Sequence, residues 1–341
     1  MTALRTLVIV HSLKMGGMER AAVNLADAFA AAGHDSHLLT CRSRPRTLAP
    51  EHREVTVHYR DQQRALLASI IGIPVFLLSR LGVLLPRSHF IWTGWLSGWL
   101  LQRHIRRLEQ ETGRFDRIIF RGLGTYKYFW SWRDPRCLYV LENVIHHDRP
   151  LWQKKLEWRL VFAGRHLVCV SSGVRASAEA AFALGGITPA SLRVITNPCP
   201  TAQIRALAAM PDPDLPREPY IINVARLVPQ KGHALLLEAY ARCRPQHLLV
   251  IVGGQRSNPF CWMAGADLFV LASEYEGLGL VLTEALACGT PVVSVDCPGG
   301  VRDVFRGGLE QFLCPRTAPD LAALIQATLA QPPRDIDQAW L

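Results

Sequence analysis

Residues 5–41, RTLVIVHSLKMGGMERAAVNLADAFAAAGHDSHLLTC, decide the fold class. RTLVIV (5–10) is a short apolar run of the kind found in a strand buried on both faces. In MERAAVNLADAFAAAG (18–33) the apolar residues Ala21, Ala22, Leu25, Ala28, Phe29 and Ala32 recur at helical spacing, and Gly33 stands where a helix C-cap belongs. SHLLTC (36–41) reads as the next strand. Strand, helix, strand with short connections is how a parallel α/β sheet begins, because parallel neighbours need a crossover between them.

The pattern blurs between 60 and 112 and resumes with DRIIFRG (116–122), RCLYVLEN (136–143) and HLVCVSS (166–172). A polar, proline-bearing stretch follows, NPCPTAQIRALAAMPDPDLPREP (197–219), which marks the domain boundary. The alternation then restarts with YIINVAR (220–226), GHALLLEAYARC (232–243) and HLLVIVGG (247–254) as strand, helix and strand. DLFVLAS (267–273), GLVLTEALA (279–287) and PVVSV (291–295) repeat the cycle. The expectation is two α/β domains, residues 1–198 and 219–341, with a linker at 199–218 and a cleft between them.

Size and composition agree with that reading. At 341 residues the chain holds two domains of roughly 100–200 residues each. It is 49% hydrophobic and 19% charged, so it is globular and not disordered. Its nine cysteines form no CxxC pair and read as reduced thiols of a cytoplasmic protein. The amino terminus enters a strand pattern directly, with no signal-peptide cleavage region. The apolar run Ala65–Leu78 falls short of the roughly 18–20 residues of a membrane span and is interrupted by Gly72 and Pro74. The net charge of +10 is uneven: residues 1–200 hold 27 Lys and Arg against 14 Asp and Glu, the remainder 11 against 14. Either the first half faces something anionic, or the charge serves solubility.

Open parallel sheets bind ligands at the carboxyl ends of their strands, so the loops leaving those ends carry the function. In HSLKMGGMER, Gly16 and Gly17 stand at a helix start, where backbone amides approach a phosphate or sugar; the alternative is a simple tight turn. The dinucleotide fingerprint GxGxxG is absent, which argues against a nicotinamide-dependent oxidoreductase. In ARLVPQKG (225–232), Arg226 leaves a strand end and Lys231 precedes a helix; together they suit a pyrophosphate, and singly they would be ordinary surface charge. In EYEGLGLVLTEALACGTPVV (274–293), Glu276 and Glu284 are separated by seven residues, and Gly277 and Gly279 free the loop for close approach. The amides of Gly277, Leu278, Gly279 and Leu280 are then able to face a phosphate, while Glu284, a turn into the helix, accepts hydrogen bonds from vicinal hydroxyls. Glu274 is expected to be solvated.

These stretches, GGMER, NVARLVPQKG and ADLFVLASEYEGLGLVLTEALACGTPVVS with DCPGGVRDV, resemble the retaining glycosyltransferases of the GT-B fold, family four, of the group 1 type. The resemblance covers most of the chain and is strongest from 220 to 305. It implies two Rossmann-like domains facing a cleft, a nucleotide-sugar donor (expected to be UDP-linked) held mostly by the second domain, and an acceptor held by the first. It assigns Arg226 and Lys231 to the departing diphosphate, Glu284 to the ribose hydroxyls and Glu276 to the transferred sugar as the catalytic carboxylate. The Gly16–Gly17 loop closes over that sugar, and Glu19 and His146 belong to the acceptor side, with the adjacent His147 as the competing choice for His146. Such enzymes need no metal and no cofactor, since cations and helix amides stabilise the leaving group.

Two departures stand out. Between HLLVIVGG and the next strand the family carries a further helix and strand, where this chain has only GQRSNPFCWMAGA (254–266); the third strand of the second sheet is therefore expected to be missing, along with the loop that borders the nucleotide base. The chain also stops at RDIDQAWL, where the family usually continues into a returning helix. The segment 60–107 holds Trp92, Trp95 and Trp99 at helical spacing, followed by Arg103, Arg106 and Arg107. That stripe either meets an anionic membrane surface or packs in the core. No nucleic-acid-binding motif occurs. The sequence thus reads as a glycosyltransferase of a cell-surface glycan or its lipid-linked precursor, cytoplasmic and peripheral at the inner face of the cell membrane, and alternatively as a non-catalytic relative that binds glycan or sugar nucleotide.

Overall fold

The structure is a computed structural model that describes residues 3–14, 16–42, 47–80, 89–145, 151–253 and 258–333. The chain divides into two compact units, Met1–Val170 with Arg175–Pro198, and Ser171–Val174 with Cys199–Leu341.

The first unit is built on a seven-stranded parallel sheet: β1 (Arg5–Val10), β2 (Asp35–Thr40), β3 (Thr56–Tyr59), β4 (Arg117–Arg121), β5 (Cys137–Leu141), β6 (His166–Cys169) and β7 (Ser191–Val194). Its strand order is β3-β2-β1-β4-β5-β6-β7. The helices are α1 (Gly17–Ala31), α2 (Gln62–Leu67), α3 (Gly72–Arg80), α4 (His89–Thr112), α5 (Leu123–Tyr126), α6 (Leu151–Phe162) and α7 (Ser172–Gly185). The opening unit forms as its periodicity predicts. Five of the six β1 residues are buried, and β1 pairs with β2 from Arg5 opposite Asp35 to Val10 opposite Thr40. Past the C-cap Ala32, Gly33 at φ +78° donates to Ala30 O and His34 donates to Phe29 O. This is the Schellman arrangement that satisfies the last carbonyls of α1 and needs a left-handed residue. The chain reverses winding direction between β1 and β4, so the loops leaving their carboxyl ends diverge and open a crevice there.

The second unit holds a five-stranded parallel sheet of β8 (Tyr220–Val224), β9 (Leu248–Val252), β10 (Leu268–Leu271), β11 (Val292–Val295) and β12 (Leu313–Cys314). Its order is β12-β11-β10-β8-β9, with the reversal between β8 and β10. Its helices are α8 (Thr201–Ala208), α9 (His233–Cys243), α10 (Phe260–Ala264), α11 (Leu280–Ala287), α12 (Val301–Val304) and α13 (Ala318–Ala330). Ile221, Leu268, Val270, Val293 and Val295 of the strands form one core with Leu236 and Ala239 of α9 and Leu321 and Ile325 of α13. Residues 199–218, expected as a linker, carry α8, which packs on α10 and α11.

The expected loss of a strand is visible in this sheet. β9 is its edge, and among the described residues between β9 and β10 only α10 intervenes. The core tolerates the loss because Leu249 and Ile251 still pack inward, while Leu248 is 44% exposed. The RDIDQAWL terminus lies outside the described residues.

Candidate active site

The loops at the carboxyl ends of β8, β10 and β11 converge on Glu276. Lys231 Nζ donates to Glu276 Oε1 at 2.6 Å, and Ser273 Oγ donates to the same oxygen at 2.7 Å. Both side chains of the ion pair are largely buried, 15% and 9% exposed. Among the described residues Oε2 of Glu276 has no hydrogen-bond donor, so one oxygen is anchored and the other is left to a ligand. The sequence assigned Lys231 to a diphosphate and Glu276 to a sugar; the fold joins them. An ammonium has three donors, so Lys231 keeps two for a phosphate.

Backbone geometry makes this contact possible. Gly232, the N-cap of α9, sits at φ +64°, and a Cβ there would stand 1.9 Å from Ala272 O, so only glycine lets the Lys231 turn lie against the end of β10. From the other side Glu276 N–H donates to Pro298 O at 3.0 Å, and at Gly299 (φ +117°) a Cβ would meet Glu276 O at 1.6 Å. The GxG of 277–279 ends in Gly279 at φ +82°, the N-cap of α11. Gly277 and Leu278 are buried in that turn and Leu280 opens the helix. Glu284 is half-buried, one turn into α11.

Arg226 is exposed and makes no ion pair among the described residues, which leaves its guanidinium available to an anion. Glu274 is half-exposed and is not merely solvated: Arg316, from the loop after β12, lies 3.6 Å from its Oε1 and donates from Nε to Ser273 O at 3.2 Å. Ser273 and Arg316 were missed by sequence reasoning, because a serine at a strand end and an arginine some 40 residues downstream carry no local signal.

In the first unit Gly16 is the N-cap of α1. Glu19, three residues later and buried, folds back over it, so that a Cβ on Gly16 would stand 2.4 Å from Glu19 Oε2. This is the position of a capping-box glutamate. Gly17 is exposed, and a Cβ there would meet nothing within 4 Å. His146 and its neighbour His147 lie outside the described residues. The carboxyl ends of β4, β5 and β7 bring together three residues the sequence did not single out. Arg121 lies 2.7 Å from Glu142 Oε1 and donates to Asn197 Oδ1 at 2.7 Å, and Asn197 Nδ2 donates to Glu142 Oε2 at 3.4 Å. Burial pushes the Glu142 carboxyl up from its ordinary value against the opposing pull of Arg121 and Asn197, and Glu19 adds to the rise.

Among the described residues no group of His, Cys, Asp and Glu is placed to hold a metal ion. Burial pushes the Cys288 and Cys297 thiols up to about 12, which holds both protonated at neutral pH.

Comparison with known proteins gives the arrangement its family. The model described as "Glycosyltransferase Family 4" matches residues 15–203, and that described as "Glycosyl transferases group 1" matches residues 261–339. A similar curated protein is the N-acetylgalactosamine-N,N'-diacetylbacillosaminyl-diphospho-undecaprenol 4-alpha-N-acetylgalactosaminyltransferase of Campylobacter jejuni. It is 34% identical over 113 residues, which is 26% of this chain and 31% of that protein. The lipopolysaccharide core biosynthesis mannosyltransferase LpsB of Rhizobium meliloti is 36% identical over 81 residues, 24% of this chain and 23% of that one. The chain thus spans less than a third of the length of either relative. Among solved structures, a glycosyltransferase from Rickettsia africae superposes with a TM-score of 0.64 at 17% identity, covering 97% of this chain and 89% of that one. Anabaena HepE in complex with UDP and glucose gives 0.62 at 18%, covering 96% and 90%. Those likenesses identify the two sheets as the GT-B fold, with the second sheet the smaller. With more than half of its residues matched by one family model, this chain belongs to Glycosyltransferase Family 4.

Proposed function

We propose that the protein is a retaining glycosyltransferase that moves a sugar from a nucleotide-sugar donor, UDP-linked, to a cell-surface glycan or its lipid-linked precursor. The observation that carries this is the Lys231–Glu276 pair, with one carboxylate oxygen anchored and one open, beside the exposed Arg226 on the same loop. Cleaving the anomeric C–O bond leaves the electron pair on the diphosphate, where Arg226 and Lys231 oppose the growing charge. The sugar becomes electron-poor as that bond lengthens, and Glu276 stabilises it. An acceptor hydroxyl then forms the new bond on the face the diphosphate leaves, and its proton passes to the departing phosphate oxygen. Fixed groups of this kind contribute on the order of a few kcal/mol each to the barrier. Glu284 binds the ribose hydroxyls. Relatives whose names speak of diphospho-undecaprenol and lipopolysaccharide core, and a neighbour holding UDP and glucose, support the acceptor class and the donor.

The same reading places the enzyme at the cytoplasmic face of an anionic membrane. Ile70, Ile73 and Leu77 of the mutually packed helices α2, α3 and α4 and their connections are 98%, 54% and 55% exposed. Trp95 and Trp99 are 53% exposed, and Arg103 stacks over Trp99 at 5.6 Å. Residues 60–107 hold seven arginines and one aspartate. Exposed aromatic and aliphatic groups beside arginines suit an anionic interface. Among the described residues no helix is long and apolar enough to cross a membrane.

The missing edge strand favours a second reading, a non-catalytic protein that binds glycan or sugar nucleotide. One screen separates the two. Thermal melting with UDP, GDP and ADP, followed by release of nucleoside diphosphate from the matching sugars, is expected to give a UDP-specific rise and turnover. At a hundredfold excess over Kd the stabilisation is about 2.7 kcal/mol. A rise without turnover selects the binding protein, and no rise with any nucleotide removes the donor site.

A further inference from the structure

The Arg121–Glu142–Asn197 cluster is unexplained by folding. Resting on the glycosyltransferase reading above, we propose that Glu142, held by Arg121 and Asn197, recognises the acceptor by accepting a hydrogen bond from one of its sugar hydroxyls.

The cluster stands where the topology puts a ligand. Arg121 ends β4, Glu142 follows β5 and Asn197 follows β7, all at the carboxyl edge of the first sheet. Stability gives no reason for it. A buried ion pair is often matched or bettered by apolar residues of the same volume, because desolvation offsets the attraction. Here burial is the largest influence on both partners, raising the Glu142 carboxyl and lowering the Arg121 guanidinium from their ordinary values. The hydrogen bonding is also incomplete. The 2.7 Å approach of Arg121 to Glu142 Oε1 is not aligned as a hydrogen bond, and Oε1 and Arg121 Nε both lack partners. A carboxylate offers about four lone-pair sites, and Asn197 uses one of them. The unpartnered Oε1 is itself closed to solvent, while the Glu142 side chain as a whole keeps 10% exposure against 5% for Arg121, so Glu142 is the partner nearer the surface.

Charge selects the ligand chemistry. Glu19, in the first turn of α1, lies within electrostatic reach of Glu142. With Arg121 counted, the two carboxylates leave one net negative charge, which disfavours a phosphate, whereas a sugar hydroxyl donates to either carboxylate. The part of the acceptor seated here is therefore a neutral sugar ring. Arg121 and Asn197 are positioning residues, and Glu142 makes the contact.

The test uses the full chain, the donor turned over in the screen above, and the n-octyl glycosides of glucose, galactose, mannose and N-acetylglucosamine as acceptors. At least one glycoside is expected to stimulate nucleoside diphosphate release. Glu142→Gln is expected to raise the KM for that glycoside about tenfold more than the donor KM, as the loss of one charge-assisted hydrogen bond would. Since single variants leave a buried charge unpaired, the double variant Arg121→Met/Glu142→Leu carries the stability arm. Its melting midpoint is expected to be no lower than the parent's while stimulation by the glycoside is lost. A fall of more than about 5 °C makes the cluster structural and overturns the proposal. So does an acceptor KM that rises no more than the donor KM, or a parent that turns over donor but responds to no glycoside. A parent with no donor turnover removes the enzyme reading itself, and the proposal with it.

Discussion

Replacing Lys231 by Met separates the two tasks the structure gives this residue. At 2.6 Å, with an effective dielectric of about 20, the attraction to Glu276 is about 6 kcal/mol, most of it offset by desolvation of two largely buried side chains. Removing one partner of such a pair leaves the other charge buried and costs about 3–5 kcal/mol. For a unit of this size that lowers the melting midpoint by roughly 10 °C. Losing one charge-assisted contact to the diphosphate costs about 1.5–3 kcal/mol, a 10- to 150-fold weaker Kd for UDP. Arg226→Met is the matched comparison. Its side chain is exposed and pairs with nothing among the described residues, so it is expected to lose the same affinity while its stability stays within about 0.5 kcal/mol of the parent. Lys231→Met/Glu276→Leu is expected to recover much of the lost stability and none of the affinity. Calorimetric melting and titration with UDP read both quantities. Equal melting midpoints for Lys231→Met and the parent would refute the argument, since Glu276 would then need no partner. An Arg226→Met variant as unstable as Lys231→Met would refute it from the other side.

The exposed face of helices α2–α4 predicts partition onto vesicles containing phosphatidylglycerol, with Trp95→Ala/Trp99→Ala/Ile70→Ala lowering the partition coefficient at least tenfold and added salt releasing the parent. Unfolding of this variant, seen by circular dichroism, would mean instead that the side chains are core. A second expectation concerns His104, whose pKa is pushed down to about 4 by burial, then by Arg60, His58 and Arg107. The fold holds this imidazole neutral while the unfolded chain takes a proton near 6.5, so its contribution is complete above pH 6.5 and is lost as pH falls toward 4. His104→Gln is expected to flatten the fall in melting midpoint across that window, and an unchanged slope would exclude the residue as a source.

Local pattern sufficed for every element whose side chains face one environment. Strands such as RTLVIV and YIINV are buried on both faces, so an apolar run identifies them without knowledge of their neighbours. Helix α1 announced itself by period and by Gly33, because a left-handed C′ position favours glycine whatever the fold. Even the absent edge strand was legible, since thirteen residues leave no room for both a helix and a strand. The two edge strands of the first sheet were not legible. β3 (TVHY) and β7 (SLRV) are half-exposed and lack a continuous apolar run, and α2–α4 lie in a stretch apolar enough to be read as core. Their exposure depends on what packs against them, which only tertiary structure decides. The site divides along the same line. Residue type and spacing pointed to Arg226, Lys231, Glu276 and Glu284, because each loop carries its own chemistry. That Lys231 closes on Glu276, that Ser273 and Arg316 brace the same loop, and that Arg121 meets Glu142 and Asn197 are contacts across 21 to 76 residues of chain. They exist because parallel strands deliver distant loops to one edge of a sheet, and no local window of sequence contains that geometry.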